Sequence, residues 1–140
     1  MGVRVKVKIE ANDRSIITSA LVNSGFESTS PDIIVPMGLA EKLGLWPPTE
    51  VESEEALTAG GQVTLYLVKR NARISIICGN EVRKVIKGNL IVNPHVDEVL
   101  LSDYVIDELG IVVISFRRGL WRHETDELEK VRESTKPQYW

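Results

Sequence analysis

Cysteine, histidine and long apolar runs are scarce in this chain. Cys78 is the only cysteine, so no internal disulfide can form, and with only His95 and His123 beside it no zinc-ligand spacing arises. The residues therefore point to no metal and no other cofactor. No apolar stretch is long enough to span a bilayer, and Met1 to Ile9 alternates charged with apolar side chains where a signal peptide would carry an unbroken apolar core. The expectation is a soluble, cytoplasmic protein with no membrane partner. Excess positive charge is lacking too: 17 Lys and Arg stand against 20 Asp and Glu, for a net charge of -3 and a pI near 5.5. Without a global basic field, nucleic acid is not expected as a partner. No internal repeat is visible.

What is present suits one domain with its own core, since 43% of the 140 residues are hydrophobic. Val3, Val5, Val7 and Ile9 alternate with Arg4, Lys6, Lys8 and Glu10, the period-two pattern of a half-buried strand. Asn12-Asp13-Arg14 supplies a turn, and Ser15 to Val22 returns as the second arm of a hairpin. A short apolar strand comes next at Asp32 to Val35, then Pro36 opens a helix through Leu43 that Gly44 ends. The acidic run Glu50, Glu52, Glu54, Glu55 reads as a solvated strand or loop face. Leu57 to Val68 gives two extended arms around the paired glycines Gly60 and Gly61.

Arg73 to Cys78 and Val82 to Ile86 flank Gly79-Asn80 as another hairpin, and Asn89 to Val92 reads as a further strand. Val99-Leu100-Leu101 is a short apolar strand, Ser102 an N-cap, Asp103 to Leu109 a helix and Gly110 its end. Ile111 to Phe116 and Leu120 to Arg122 form the last strand pair. The segment from Glu124 to Trp140 is charged and reads as a terminal helix or a frayed tail. The organisation expected is a domain over 1–122 with a charged C-terminal extension over 123–140.

Amid these elements, Ala20-Leu21-Val22 delivers Asn23 to a Ser24-Gly25 turn. Taken alone, that tripeptide is an ordinary turn. In its setting of hairpin, loop, strand, helix, glycine-tipped hairpin and Leu100-Leu101-Ser102 before a short helix, the chain from about Val3 to Trp121 resembles the single-domain, retropepsin-like aspartic peptidases. In that family the loop reads Asp-Thr-Gly or Asp-Ser-Gly. Here Ser24 and Gly25 match the second and third positions, and Asn23 stands where the family has its catalytic aspartate. Leu100-Leu101-Ser102-Asp103 is similar to the family's apolar element before the final helix, with serine in place of glycine, and Gly119-Leu120-Trp121 is similar to the ending of prokaryotic members.

The resemblance implies a mainly β, retropepsin-like fold: a closed, barrel-like sheet with a flap hairpin and one or two short helices. It implies a homodimer with one loop from each subunit meeting at a two-fold axis, so that two carboxylates activate a water against an extended peptide or unfolded protein. Ser24 would brace the partner loop, Gly25 would lie beneath the substrate, Phe26 and Glu27 would shape the pockets, and Ala59, Gly60 and Gly61 would form the flap tip. Asparagine preserves the loop's hydrogen bonds but cannot take a proton from water, so this form is expected to be inactive. An aspartate replaced to give an inactive enzyme is the favoured reading. The alternative is a natural peptide-binding or assembly module that does not cut.

The remaining acids do not come after an apolar run into a Ser-Gly or Thr-Gly turn. Asp13 sits in a turn, Asp32 follows Pro31, Asp97 lies in a loop, and Asp103 begins a helix where negative charge is favourable. Cys78 reads as a core residue.

Overall fold

The computed structural model describes residues 2–48, 52–58 and 61–140, and for 52–58 and Gly61 the backbone alone is considered. The elements are β1 (Arg4–Ala11), β2 (Arg14–Val22), β3 (Asp32–Val35), α1 (Met37–Lys42), β4 (Glu52–Thr58), β5 (Gly61–Cys78), β6 (Glu81–Val92), β7 (Val99–Leu101), α2 (Asp103–Leu109), β8 (Ile111–Ser115), β9 (Leu120–His123) and β10 (Arg132–Glu133). The fold is mainly β. Among the described residues, no helix is long and apolar enough to cross a membrane.

Strand alternation builds the core. Val5, Val7 and Ile9 of β1 point inward and are buried, and β2 pairs with β1 from Arg4↔Leu21 to Ala11↔Arg14. The turn between them has Asn12 and Asp13 at φ 52° and 60°, the left-handed pair that matches the twist of a two-residue hairpin. Strand order runs β1-β2-β7-β3-β6-β5, and β5 pairs back onto β1, so six strands close into a barrel. Closure removes the free edges that an open sheet of these apolar strands would expose. Ile9, Ile33, Ile74, Ile76, Leu90 and Leu101 fill the interior with no exposure, each side chain worth about 1.5–3 kcal/mol of burial. A second, three-stranded sheet orders β10-β9-β8.

Two features differ from the sequence reading. First, β5 is one strand of 18 residues, and Asn89 to Val92 belongs to β6 instead of forming a separate strand. Register shifts between Leu67, Lys69 and Ala72, with Asn71 at φ 56°, explain how one strand serves both purposes. Such bulges bend a strand without ending it, so β5 pairs with β4 from Gly61 to Leu67, with β6 from Tyr66 to Cys78 and with β1 from Arg73 to Ile77. Second, the terminal segment is neither helix nor frayed tail. It pairs through β10 with β9 and then runs extended across the barrel: Thr135 N–H donates to Arg4 O at 3.0 Å, Gln138 N–H to Ser19 Oγ at 2.7 Å and Trp140 N–H to Asp97 O at 2.8 Å. The Trp140 indole N–H donates to Thr18 Oγ1 at 3.0 Å, and its carbonyl carbon would lie 3.2 Å from a Cβ placed on Gly38. The acceptors that dock it are hydroxyls and main-chain carbonyls of Arg4, Thr18, Ser19 and Asp97, which the charged sequence of the segment itself does not reveal.

Helix α2 obeys its local signals. Ser102 is extended (φ -69°, ψ 162°) and its Oγ accepts the Val105 N–H at 3.3 Å, while Gly110 closes the other end at φ 78°. A side chain at Gly110 would also collide with Glu124, whose carboxyl carbon lies 2.7 Å from the position of an added Cβ. Ser102→Ala is expected to cost about 1 kcal/mol, read as a lower denaturant midpoint at unchanged m-value.

Candidate functional site

Strand β7 lies between β2 and β3, parallel to the first and antiparallel to the second. Val22 therefore ends beside Leu101, and Ile33 begins beside the same residue. The connection over 23–31 has to arch over the end of β7, and this requirement of topology sets its path. Ala20, Val22 and Leu101 are buried beneath it, so the polar residue after Val22 emerges at the rim of a rigid floor.

Asn23 is half-buried at that rim. Its Oδ1 accepts the Gly25 N–H at 3.2 Å and its main-chain carbonyl accepts the Phe26 N–H at 3.0 Å, which together fold 23–26 into a turn. A Cβ on Gly25 would come within 3.3 Å of Asn23 Oδ1, so glycine lets this contact form without displacement. Ser24, Gly25 and Glu27 are exposed and Phe26 is half-buried. The loop thus gathers five of the expected residues, Asn23, Ser24, Gly25, Phe26 and Glu27. Of the expected tip, Ala59 and Gly60 lie outside the described residues. Gly61 starts β5 opposite Thr58. Nearer the barrel, Tyr66 of β5 packs edge-on against Trp46, with ring centroids 5.2 Å apart.

Two carboxylates beneath the loop were not singled out by the sequence pattern. Asp32 Oδ2 accepts Ser28 Oγ at 2.5 Å and Ser30 Oγ at 2.8 Å, and its Oδ1 accepts Asn89 Nδ2 at 3.1 Å. Asp103 Oδ1 accepts the Ser28 N–H at 2.9 Å, and the Asp103 N–H donates to Phe26 O at 2.9 Å. The loop is therefore tied to β6 through Asn89 and to the start of α2 through Asp103. The alternation Ser28, Ser30, Asp32 is the signal that could have revealed the first cluster, since short hydroxyl side chains beside an aspartate favour such local bonds. Asp32→Ala would leave three donors without their acceptor. We expect a loss of roughly 2 kcal/mol in unfolding free energy and faster hydrogen exchange at Ser30, with β1 and β2 amides changed only by the global destabilisation.

A separate polar cluster stands on the three-stranded sheet. Asp126 accepts two bonds from Arg132, at 2.7 and 2.9 Å, one from Arg83 at 3.1 Å and one from the His123 N–H at 2.9 Å. The Arg132 guanidinium in particular holds its carboxyl well below the usual carboxylate range. His123 is fully buried, with Nε2 at 2.9 Å from Leu109 O and Nδ1 accepting the Thr125 N–H at 3.2 Å. Those partners assign the ring proton to Nε2 and give His123 a structural task. Cys78 is buried, and burial pushes its thiol pKa up, the opposite of what a nucleophile needs. Among the described residues, no group of three or more His, Cys, Asp or Glu side chains is arranged to hold a metal ion.

A scan against protein-family models finds no match to this chain, and a search of curated proteins finds none.

Proposed function

We propose that this chain is an aspartic endopeptidase of the retropepsin-like type, disarmed at its catalytic position by Asn23. The observation that carries the reading is the loop itself: a strand of a closed barrel ends at the buried Val22 and hands the chain to Asn23, with Ser24 and Gly25 exposed beside it and the Asn23 amide oxygen held by the Gly25 N–H. In this reading two chains associate as a homodimer, bringing their 23–25 loops together at a two-fold axis. The β4–β5 hairpin acts as the flap, and an extended peptide or unfolded protein is the substrate, bound largely through main-chain hydrogen bonds. A carboxylate at position 23 would take a proton from water while its protonated counterpart polarises the scissile carbonyl. An amide can do neither proton transfer, so the chain as it stands binds but does not cut.

Asn23 also favours a second reading, a peptide-binding or assembly module on the same scaffold that has no catalytic form. Asn23→Asp separates the two. Cleavage of a denatured protein by that variant supports the peptidase. A correctly folded dimer of the variant that binds peptide and cleaves nothing supports the binding module.

A further inference from the structure

The six asparagines of the chain differ in their C-terminal neighbours. Asn12 precedes Asp13, Asn71 Ala72, Asn80 Glu81, Asn89 Leu90 and Asn93 Pro94, whereas Asn23 precedes Ser24. An asparagine loses its amide when the backbone nitrogen of the next residue attacks its side-chain carbonyl carbon. A bulky neighbour hinders that ring closure, a regular strand locks the backbone away from it, and proline offers no N–H to ionise. Asn71 and Asn89 lie inside β5 and β6, and Asn89 Nδ2 is held by Asp32. Asn23 lies just past the end of β2, where the ladder has stopped.

Three local features favour the reaction there. The Ser24 N–H has no hydrogen-bond partner among the described residues, so the nucleophile is free. The Gly25 N–H donates to Asn23 Oδ1 at 3.2 Å, which polarises the carbonyl and faces the charge that builds on that oxygen. Asn23 Nδ2 is also without a partner among the described residues, and Ser24 and Gly25 are exposed, so solvent can reach the leaving group.

We propose that Asn23 is a self-modification site, at which the chain converts its own amide into a carboxylate. Combined with the function proposed above, on which this consequence rests, the conversion supplies the missing general base. Hydroxide removes the Ser24 amide proton and the nitrogen attacks Asn23 Cγ. The Cγ–Nδ2 bond then breaks, and ammonia departs with a proton from water. A succinimide ring remains between Cγ and the Ser24 nitrogen. Water adding at Cγ reopens the Cγ–N bond and leaves aspartate at position 23, whereas water adding at the main-chain carbonyl leaves isoaspartate. No oxidant or reductant is involved. The Gly25 N–H polarises Cγ in the second step as in the first, which favours aspartate.

The test uses the full chain, freshly purified and incubated at mildly alkaline pH, with peptide mapping by mass spectrometry over time. Position 23 is expected to gain about one mass unit, the exchange of NH2 for OH, ahead of the other five asparagines and faster as pH rises. Cleavage of a denatured protein should grow in step with the aspartate fraction. Asn23→Gln, whose longer side chain would need a six-membered ring, should stay both unmodified and inactive. Position 23 remaining an amide while Asn71 or Asn12 converts would overturn the proposal. Faster conversion in urea than in the folded chain would also overturn it, because the loop would then be protecting the amide. Conversion to aspartate without cleavage leaves the modification site standing and counts against the peptidase reading. Cleavage by Asn23→Asp with no conversion in the parent chain does the reverse.

Discussion

Asn23→Asp is expected to raise peptide hydrolysis by about 10³-fold or more over freshly prepared parent protein, the scale on which a positioned general acid and base act. The gain should come almost wholly in kcat. Aspartate and asparagine are nearly the same size, and the Gly25 N–H that holds Asn23 Oδ1 at 3.2 Å can hold a carboxylate oxygen equally well. Substrate contacts made by the hairpin and pockets are unchanged, so peptide affinity should change little. The pH profile is the sharper test. Two carboxylates facing each other at an axis cannot both ionise cheaply, so the active form carries one proton between them. Activity should trace a bell on the acid side of neutrality, its two limbs belonging to the pair and not to either chain. Specific activity should fall on dilution, because each chain brings one loop. The parent, with no charge at position 23, should dimerise at neutral pH at least as tightly as the variant. A variant that cleaves as a monomer, or with a flat profile through the acid range, would sink the shared-proton mechanism.

Much of this scaffold was legible because local chemistry and global position agree in it. The β1–β2 hairpin comes from alternation around Asn12 and Asp13, both of which tolerate the positive φ the turn needs. Helix α2 is set by Ser102 at one end and Gly110 at the other. The position of the 23–25 loop is set by the small, apolar run Ala20-Leu21-Val22, which makes sense only as a buried strand coming to an end. What escaped the sequence was set by distant partners. Asp32 looks like a residue after a proline until Asn89, 57 positions later, is found bonded to it. The stretch from Lys69 to Ala72 looks like a break, and only the pairing of Lys69 with Leu90 and of Ala72 with Gly88 on β6 shows a bulged strand. The terminal segment has no apolar period at all. It is docked mainly by single bonds to hydroxyls and carbonyls, at Ser19, Thr18, Arg4 and Asp97, that no pattern of its own residues encodes.

That docking begins at Asp126, and Asp126→Asn is expected to lower stability at neutral pH by about 3 kcal/mol, as removal of one partner from a buried ion pair does. The side chain is only 5% exposed and that of Arg132 17%, so the guanidinium left behind would be a poorly solvated cation with half its bonds. The loss should spread along the strand. Arg132 lies in β10 and stacks over Trp121 at 5.9 Å from the ring centroid, so loosening it frees the segment that ends in Trp140. Tryptophan emission should therefore shift before global unfolding. The pH dependence has a definite sign. The carboxyl is held below its ordinary range in the folded chain, chiefly by Arg132, so between the two pKa values the unfolded chain binds more protons. The stabilisation is complete above the unfolded value near 4 and drains away as pH falls through the folded one. Parent and variant should therefore differ most at neutral pH, and the gap should be about 1 kcal/mol narrower at pH 3. Urea unfolding of both proteins at pH 7 and pH 3 measures this directly. A gap that stays constant between the two pH values would mean that the charge on Asp126 contributes nothing, and that shape alone holds the turn after β9 to β10.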